Sequence, residues 1–281
     1  MLVNLNDVLK DAKLNQYAVG LFNTVNLEMA KGVIAAAEET KSPVIIGTAE
    51  VLLPYASLEE LAYFLIPMAK KATVPVVVHY DHGLTDTLVK KAIELGFSSV
   101  MYDCSTLGFD ENCKAVADMV TFAHKKGISV EAELGHVGAN EGGSSEGDAE
   151  EGSYTDVNEA IRYVSQTNVD ALAVAIGTAH GAYKSKPRLD FERLQQLAKG
   201  VDVPLVLHGG SGLSESDFKK TIQYGISKVN IFTDINCAAA KAAFEGYHHG
   251  TGMTDMMPNI VTAIKEATIE KMSIFGCRNK G

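Results

Sequence analysis

Three histidines, His82, His180 and His208, stand at the ends of three separate apolar runs, and each is followed directly by glycine. The first closes VVVHYDHG (76–83), the second GTAHG (177–181) and the third PLVLHGG (204–210). A core strand has no use for an imidazole at its end unless something there must be held or deprotonated. One such histidine is usually a hydrogen-bonded structural residue. Three of them, with no shared local motif, suit a catalytic zinc, which takes three protein ligands and leaves a position open for water or substrate. Carboxylates recur at matching places: Asp81 beside His82, Asp103 after SSVMY, Glu131 and Glu133 within SVEAELG, and Asp234 after KVNIFT. His79 shares a strand face with Asp81 and reads as orienting it. His136 is either close to the site or solvated, and His124, His248 and His249 read as surface.

Glycine-rich turns surround two of these histidines. HGGSG and GTAHGAY let backbone N–H groups approach a ligand with no Cβ in the way. Amides in such turns form an anion nest. Ser211 and Thr233 can add hydroxyl donors, and Lys184 a point charge.

Eight β-branched apolar runs must position these residues: 17–23, 43–49, 75–81, 98–103, 129–135, 171–177, 204–210 and 228–234. Segments with helical apolar spacing, such as SLEELAYFLIPMAKKA, lie between them. Three runs begin with proline (43, 75, 204), and glycines 96, 127, 200 and 225 are expected to close helices. Eight strand–helix units predict an α/β fold, the (β/α)8 TIM barrel, whose strand C-termini all open on one face. A short N-terminal helix over 4–13 precedes it, and a C-terminal helical extension follows near 235–245 and 256–275. No linker divides residues 1–281, so one catalytic domain is expected. The stretch 139–153, rich in Gly, Ser and acid, has no apolar period and reads as a long functional loop.

The net charge of −10, from 35 acidic and 25 basic side chains, argues against nucleic acid or an anionic membrane as partner. Cys104, Cys113, Cys237 and Cys277 show no CxxC spacing, so no zinc cluster or disulfide framework is indicated. With no signal-like N-terminus and no run of about 18 apolar residues, the expected location is cytoplasmic.

Five stretches, HYDHG (79–83), VEAELGHVG (130–138), AVAIGTAHGAY (173–183), LVLHGGSG (205–212) and KVNIFTDI (228–235), give the chain a specific resemblance. It resembles the class II, metal-dependent ketose-phosphate aldolases, in particular the fructose- and tagatose-bisphosphate branch, over nearly its whole length. The resemblance implies one catalytic Zn2+ on His82, His180 and His208, with Asp103 and Glu133 close to the metal, the latter as an alternative ligand. It admits a monovalent cation, Na+ or K+. It implies Asp81 as the group that handles the hydroxyl proton at the cleaved bond, and Glu141 as the group that moves the proton at C3. Gly181, Lys184, Gly209, Gly210, Ser211, Asn230 and Thr233 would hold the dihydroxyacetone phosphate half of a phosphorylated sugar. A homodimer or homotetramer is the expected assembly.

Two stretches depart from the bisphosphate pattern. The loop after Glu133 reads ELGHVGANEGG, with Ala139 in place of a glycine and Gly142 where an acid usually follows. After the second run, GTAEVLLPY has Ala49 where those enzymes offer a hydroxyl to the distal phosphate, with Glu50 beside it. A carboxylate accepts hydrogen bonds from sugar hydroxyls and repels a phosphate, so Glu50 is expected to contact the sugar of a ketose 1-phosphate. Arg278 is the candidate for a distal anion, reaching a neighbouring subunit's site. An isomerase or epimerase on the same metal, or a sugar-phosphate sensor, are the competing functions.

Overall fold

The computed structural model describes residues 1–137, 154–181 and 187–281. Glu141 and Lys184 therefore lie outside the described residues. A two-residue strand β1 (Leu2–Val3) is followed by α1 (Leu5–Asn15), capped by Asn4 and Asp7, which satisfy each other's backbone N–H groups in a capping box. The barrel then alternates: β2 (Val19–Asn23), α2 (Leu27–Thr40), β3 (Val44–Ala49), α3 (Leu58–Lys71), β4 (Val76–Gly83), α4 (Asp86–Leu95), β5 (Ser99–Tyr102) and α5 (Phe109–His124). It continues with β6 (Ser129–Leu134), α6 (Val157–Thr167), β7 (Ala171–Val174), α7 (Phe191–Gly200), β8 (Leu205–Leu207), α8 (Glu215–Gln223) and β9 (Ile226–Ile231). Two further helices, α9 (Thr233–Gly246) and α10 (Met253–Phe275), complete the chain.

Strands β2 to β9 are all parallel, in the order β4-β3-β2-β9-β8-β7-β6-β5, and β4–β5 pairing closes the ring. The expected (β/α)8 barrel is what forms. Its strands are buried on both faces because side chains fill the interior and helices cover the outside. Strand β1, which the sequence reading did not anticipate, pairs with the start of β4 at Val76 and Val77. Gly96 caps α4 in the left-handed region, as expected. Gly200 does not cap α7; it is the last helical residue, and Val201 follows as the cap.

Strand β4 has one irregularity. Tyr80 pairs with Val100 and Gly83 with Tyr102, so three steps along β4 match two along β5. The extra residue is absorbed next to His82, whose φ of 41° lies in the left-handed region.

The chain end runs beneath the barrel. Phe275 O accepts from Ala18 N at the start of β2, and Asn279 N and Gly281 N donate to Thr40 O and Lys41 O at the end of α2. These contacts lie at the N-terminal end of the strands, so Arg278 is at the opposite end of its own barrel from the three histidines. Within one chain Arg278 therefore does not reach the site, and the expected contact is one with a neighbouring subunit's site. All four cysteines are free thiols, and among the described residues no helix is long and apolar enough to cross a membrane.

Candidate active site

His82 at the end of β4, His180 after β7 and His208 after β8 are brought together, with one ligand nitrogen of each within 4.8 Å of the others. All three are buried. Two of them are oriented by carboxylates. Asp103 Oδ2 lies 2.8 Å from His82 Nδ1, and Glu131 Oε1 lies 2.9 Å from His208 Nε2. A carboxylate only accepts, so these ring nitrogens carry the protons and donate. His82 Nε2 and His208 Nδ1 turn inward and face each other at 2.6 Å. Two ring nitrogens this close share a positive ion, a proton or a metal, between them. The donor set therefore fits a divalent metal held by His82, His180 and His208, with the outer nitrogens fixed as metal sites require.

Glu133 is the fourth candidate ligand. Its Oε2 is 3.7 Å from His208 Nδ1 and has no hydrogen-bond partner among the described residues, while Val137 N donates to its Oε1 at 3.0 Å. Burial, and then the negative charge of Asp103, push its pKa up to about 8. Asp103 has both oxygens engaged, Oδ2 with His82 and Oδ1 with Ser105 N. Burial opposes its charge, but the hydrogen bond and charge of His82 and the hydrogen bonds from Ser105 together outweigh burial and hold it below the usual carboxylate range. In this geometry Asp103 orients His82.

Asp81 points into the barrel beside this cluster. Asn23 Nδ2 donates to Oδ2 at 2.8 Å, and Asn230 Nδ2 lies 3.1 Å from both oxygens. Burial works to raise its pKa, but the positive charge of His82, the His79 contact and Lys228 hold it well below normal, so it stays ionised. His79 is pinned through Nδ1 to Ser99 Oγ at 2.8 Å, which aims Nε2 at Asp81 and Glu131. Beneath them Lys228 is fully buried with its Nζ 2.8 Å from Glu131 Oε2. Burial again opposes, yet Lys228, with the hydrogen bond from His208 and the His79 charge, holds the Glu131 carboxyl at about 2. Asn23 and Lys228 had not been singled out from sequence. Their signal was present, since Asn23 closes one apolar run and Lys228 opens another.

The remaining expected residues adjoin the histidines. His180, Gly181, Gly209, Gly210, Ser211, Asn230, Phe232 and Thr233 line one small cavity. Thr233 is the first residue of α9, whose N-terminal cap Phe232 offers no side-chain acceptor, so the helix N–H groups there suit an anion. Gly209 has φ 64°, and a Cβ on it would collide with the Ala179 carbonyl oxygen.

Glu50 is placed differently from the expectation. It starts a single 3-10 turn, Glu50–Leu52, and its Oε2 accepts from Tyr80 Oη at 3.0 Å, Leu84 N at 2.7 Å and Thr85 N at 3.3 Å. Tyr80 alternates with Asp81, so it faces the helix layer, where its fully buried ring meets Phe97 edge-on. The oxygen expected to meet the sugar is thus engaged on the outer side of β4.

Comparison with known proteins agrees with the barrel fold. The family described as Fructose-bisphosphate aldolase class-II matches residues 3–280. The protein YdjI of Escherichia coli K12 is 42% identical over 280 residues, covering 100% of this chain and 99% of that one. Its crystal structure, described as that of the YdjI aldolase, superposes with a TM-score of 0.90 at 40% identity, covering 100% and 99% of the two chains. A fructose-bisphosphate aldolase of Staphylococcus epidermidis is 38% identical over 288 residues, covering 99% of each chain. With a barrel, a three-histidine cluster and a whole-length match in accord, the chain belongs to the class II fructose-bisphosphate aldolase family, the metal-dependent aldehyde-lyases.

Proposed function

We propose that the protein is a zinc-dependent aldolase that reversibly cleaves a ketose 1-phosphate to dihydroxyacetone phosphate and an aldehyde. One observation carries the phosphate count. The connections leaving the C-terminal ends of the eight barrel strands contain three Lys or Arg residues, and all three, Lys184, Lys186 and Arg188, lie between β7 and α7. That connection starts at the cavity lined by His180, Gly209 to Ser211 and Thr233. Backbone N–H groups, two hydroxyls and the N-terminus of α9 are the donors a phosphate needs there. The connections after β5 and β6 bring acid instead, including Asp103, Glu141, Glu146 and Asp148. A second phosphate on that side would meet like charge.

When bound, the divalent ion supplies Lewis-acid polarisation of the ketone and hydroxyl oxygens beside the bond that breaks. Asp81 accepts the hydroxyl proton, held in place by Asn23 and by Asn230, which also lies 3.5 Å from His208 Nε2. Glu133 offers a further carboxylate at the cluster. Glu141 as the group that moves the C3 proton, Lys184 as a phosphate contact and an accompanying Na+ or K+ belong to this proposal through the family resemblance. So does a homodimer or homotetramer, and a cytoplasmic location is proposed beside them.

A bisphosphate substrate is the second reading, because relatives carry the name fructose-bisphosphate aldolase. Its distal phosphate would need Arg278 from another chain. A retro-aldol assay on zinc-loaded protein decides. The panel contains fructose and tagatose 1,6-bisphosphates beside ketose 1-phosphates, each with and without chelator. Chelator-sensitive release of dihydroxyacetone phosphate that favours the 1-phosphates is expected. A preference for bisphosphates overturns the phosphate count, and no cleavage of any sugar moves the reading to an isomerase or a sensor.

A further inference from the structure

We infer that Glu50 is a positioning residue: its carboxylate straps the bulged end of β4 and so sets where Asp81 and His82 point. The inference rests on the reading of His82 as a metal ligand and Asp81 as the base. Two observations meet here. First, the segment that carries both groups is irregular. It holds an extra residue against β5, and His82 sits at φ 41° in a region where a side chain crowds its own backbone. A strand left to itself would relax toward regular pairing and turn His82 away, so something must hold the strained form. Second, one oxygen of Glu50 takes donors from both flanks of that segment: Tyr80 Oη just before it, and Leu84 N and Thr85 N just after it. Asp81, His82 and Gly83 are the residues enclosed between the two attachments.

The alternation of β4 explains why the strap lies outside the pocket. Asp81 faces inward to Asn23 and Asn230, whereas Tyr80 faces outward and is fully buried against Phe97. A Cβ on Gly83 would meet Val89 on α4 and the Tyr80 ring, so the backbone is already pressed against that helix. Glu50 also places a negative charge where α4 begins. It takes the N–H groups of Leu84 and of the cap residue Thr85, just ahead of the first helical turn. On the metal side, Asp103 fixes the ring of His82. On the outer side, Glu50 fixes its backbone.

The test uses Glu50→Ala, Glu50→Gln and Tyr80→Phe in the full chain. Each is stripped with chelator and titrated with Co2+ by visible absorption, then assayed with Zn2+ for kcat and KM on every sugar the wild type cleaves. Glu50→Ala is expected to weaken Co2+ binding and lower kcat roughly ten- to hundred-fold, the range for groups that orient metal ligands. The loss in kcat should be equal for all substrates, with KM little changed. Tyr80→Phe should move both readouts the same way by less, although the ring cannot touch substrate. Glu50→Gln keeps an acceptor oxygen and should recover most of both. A rise in KM confined to some sugars, with Co2+ affinity and kcat unchanged, would overturn the strap and return Glu50 to the substrate. Wild-type values throughout would overturn it as well. Failure of the underlying metal reading shows separately, as Co2+ binding that survives His208→Ala.

Discussion

Glu133 and Glu131 sit two residues apart on one strand, both buried, with pKa values driven in opposite directions. Burial raises both, but Lys228 lies against Glu131 and holds it at about 2, whereas Asp103 faces Glu133 and takes it to about 8. The folded chain therefore binds a proton at Glu133 more tightly than the unfolded chain does. The stability this contributes is complete below about 4.5, the ordinary value, and is lost as pH rises through about 8. In chelator-treated protein the Glu133 contribution to stability should fall from pH 5 to 8, by at most about 1.4 kcal/mol per unit, against the opposite contribution of His79 and His208, whose pKa values burial lowers. Glu133→Gln should flatten that slope. A stability that climbs with pH over the same range, unchanged by the substitution, would count against the assignment. Zinc should reduce the loss, because a ligating carboxylate must be ionised. The types and places of these residues were readable in the sequence, since each ends or lines an apolar run. Their partnerships were not. That Asp103 takes the outer nitrogen of His82, or that Glu50 turns outward to Tyr80, depends on contacts 21 and 30 residues away.

The elements meet at the turns that follow β7 and β8. Gly209 touches the Ala179 carbonyl and adopts φ 64°, so His180 and His208 stand on two turns that fit only without a Cβ between them. Gly209→Ala should cost about 1–3 kcal/mol in urea unfolding and weaken inorganic phosphate binding at the adjoining cavity. A wild-type midpoint would show that the turns are free to part. Strand and helix identity was legible for the barrel units because β-branched runs and helical spacing alternate eight times. The ends were less so. Helix α9 begins at Thr233, inside the run 228–234, because Phe232 leaves the strand there, and no local residue type announces it. The 3-10 turn at Glu50–Leu52 is too short to carry a period.

At the scale of the molecule, one ring of parallel strands puts all the chemistry at one end and the chain terminus at the other. Arg278 lies beneath the barrel with Asn279 and Gly281 fastened to the end of α2. Any role for it in substrate binding therefore belongs to an assembly of chains.

The short strand β1 has a consequence for how the protein behaves when heated. At the start of β4, Val76 and Val77 pair with β3 on one side and with β1 on the other, and Val76 N donates to Met1 O at 2.8 Å. Strand β5 takes over only from His79 upward. Residues 1–3 thus cover a place where the ring would present an open edge flanked by valines, the kind of surface on which chains add to one another. Removing them should leave the active end intact while light scattering on heating begins at a lower temperature than in the full chain. Scattering that starts at the same temperature would mean that the barrel floor protects itself.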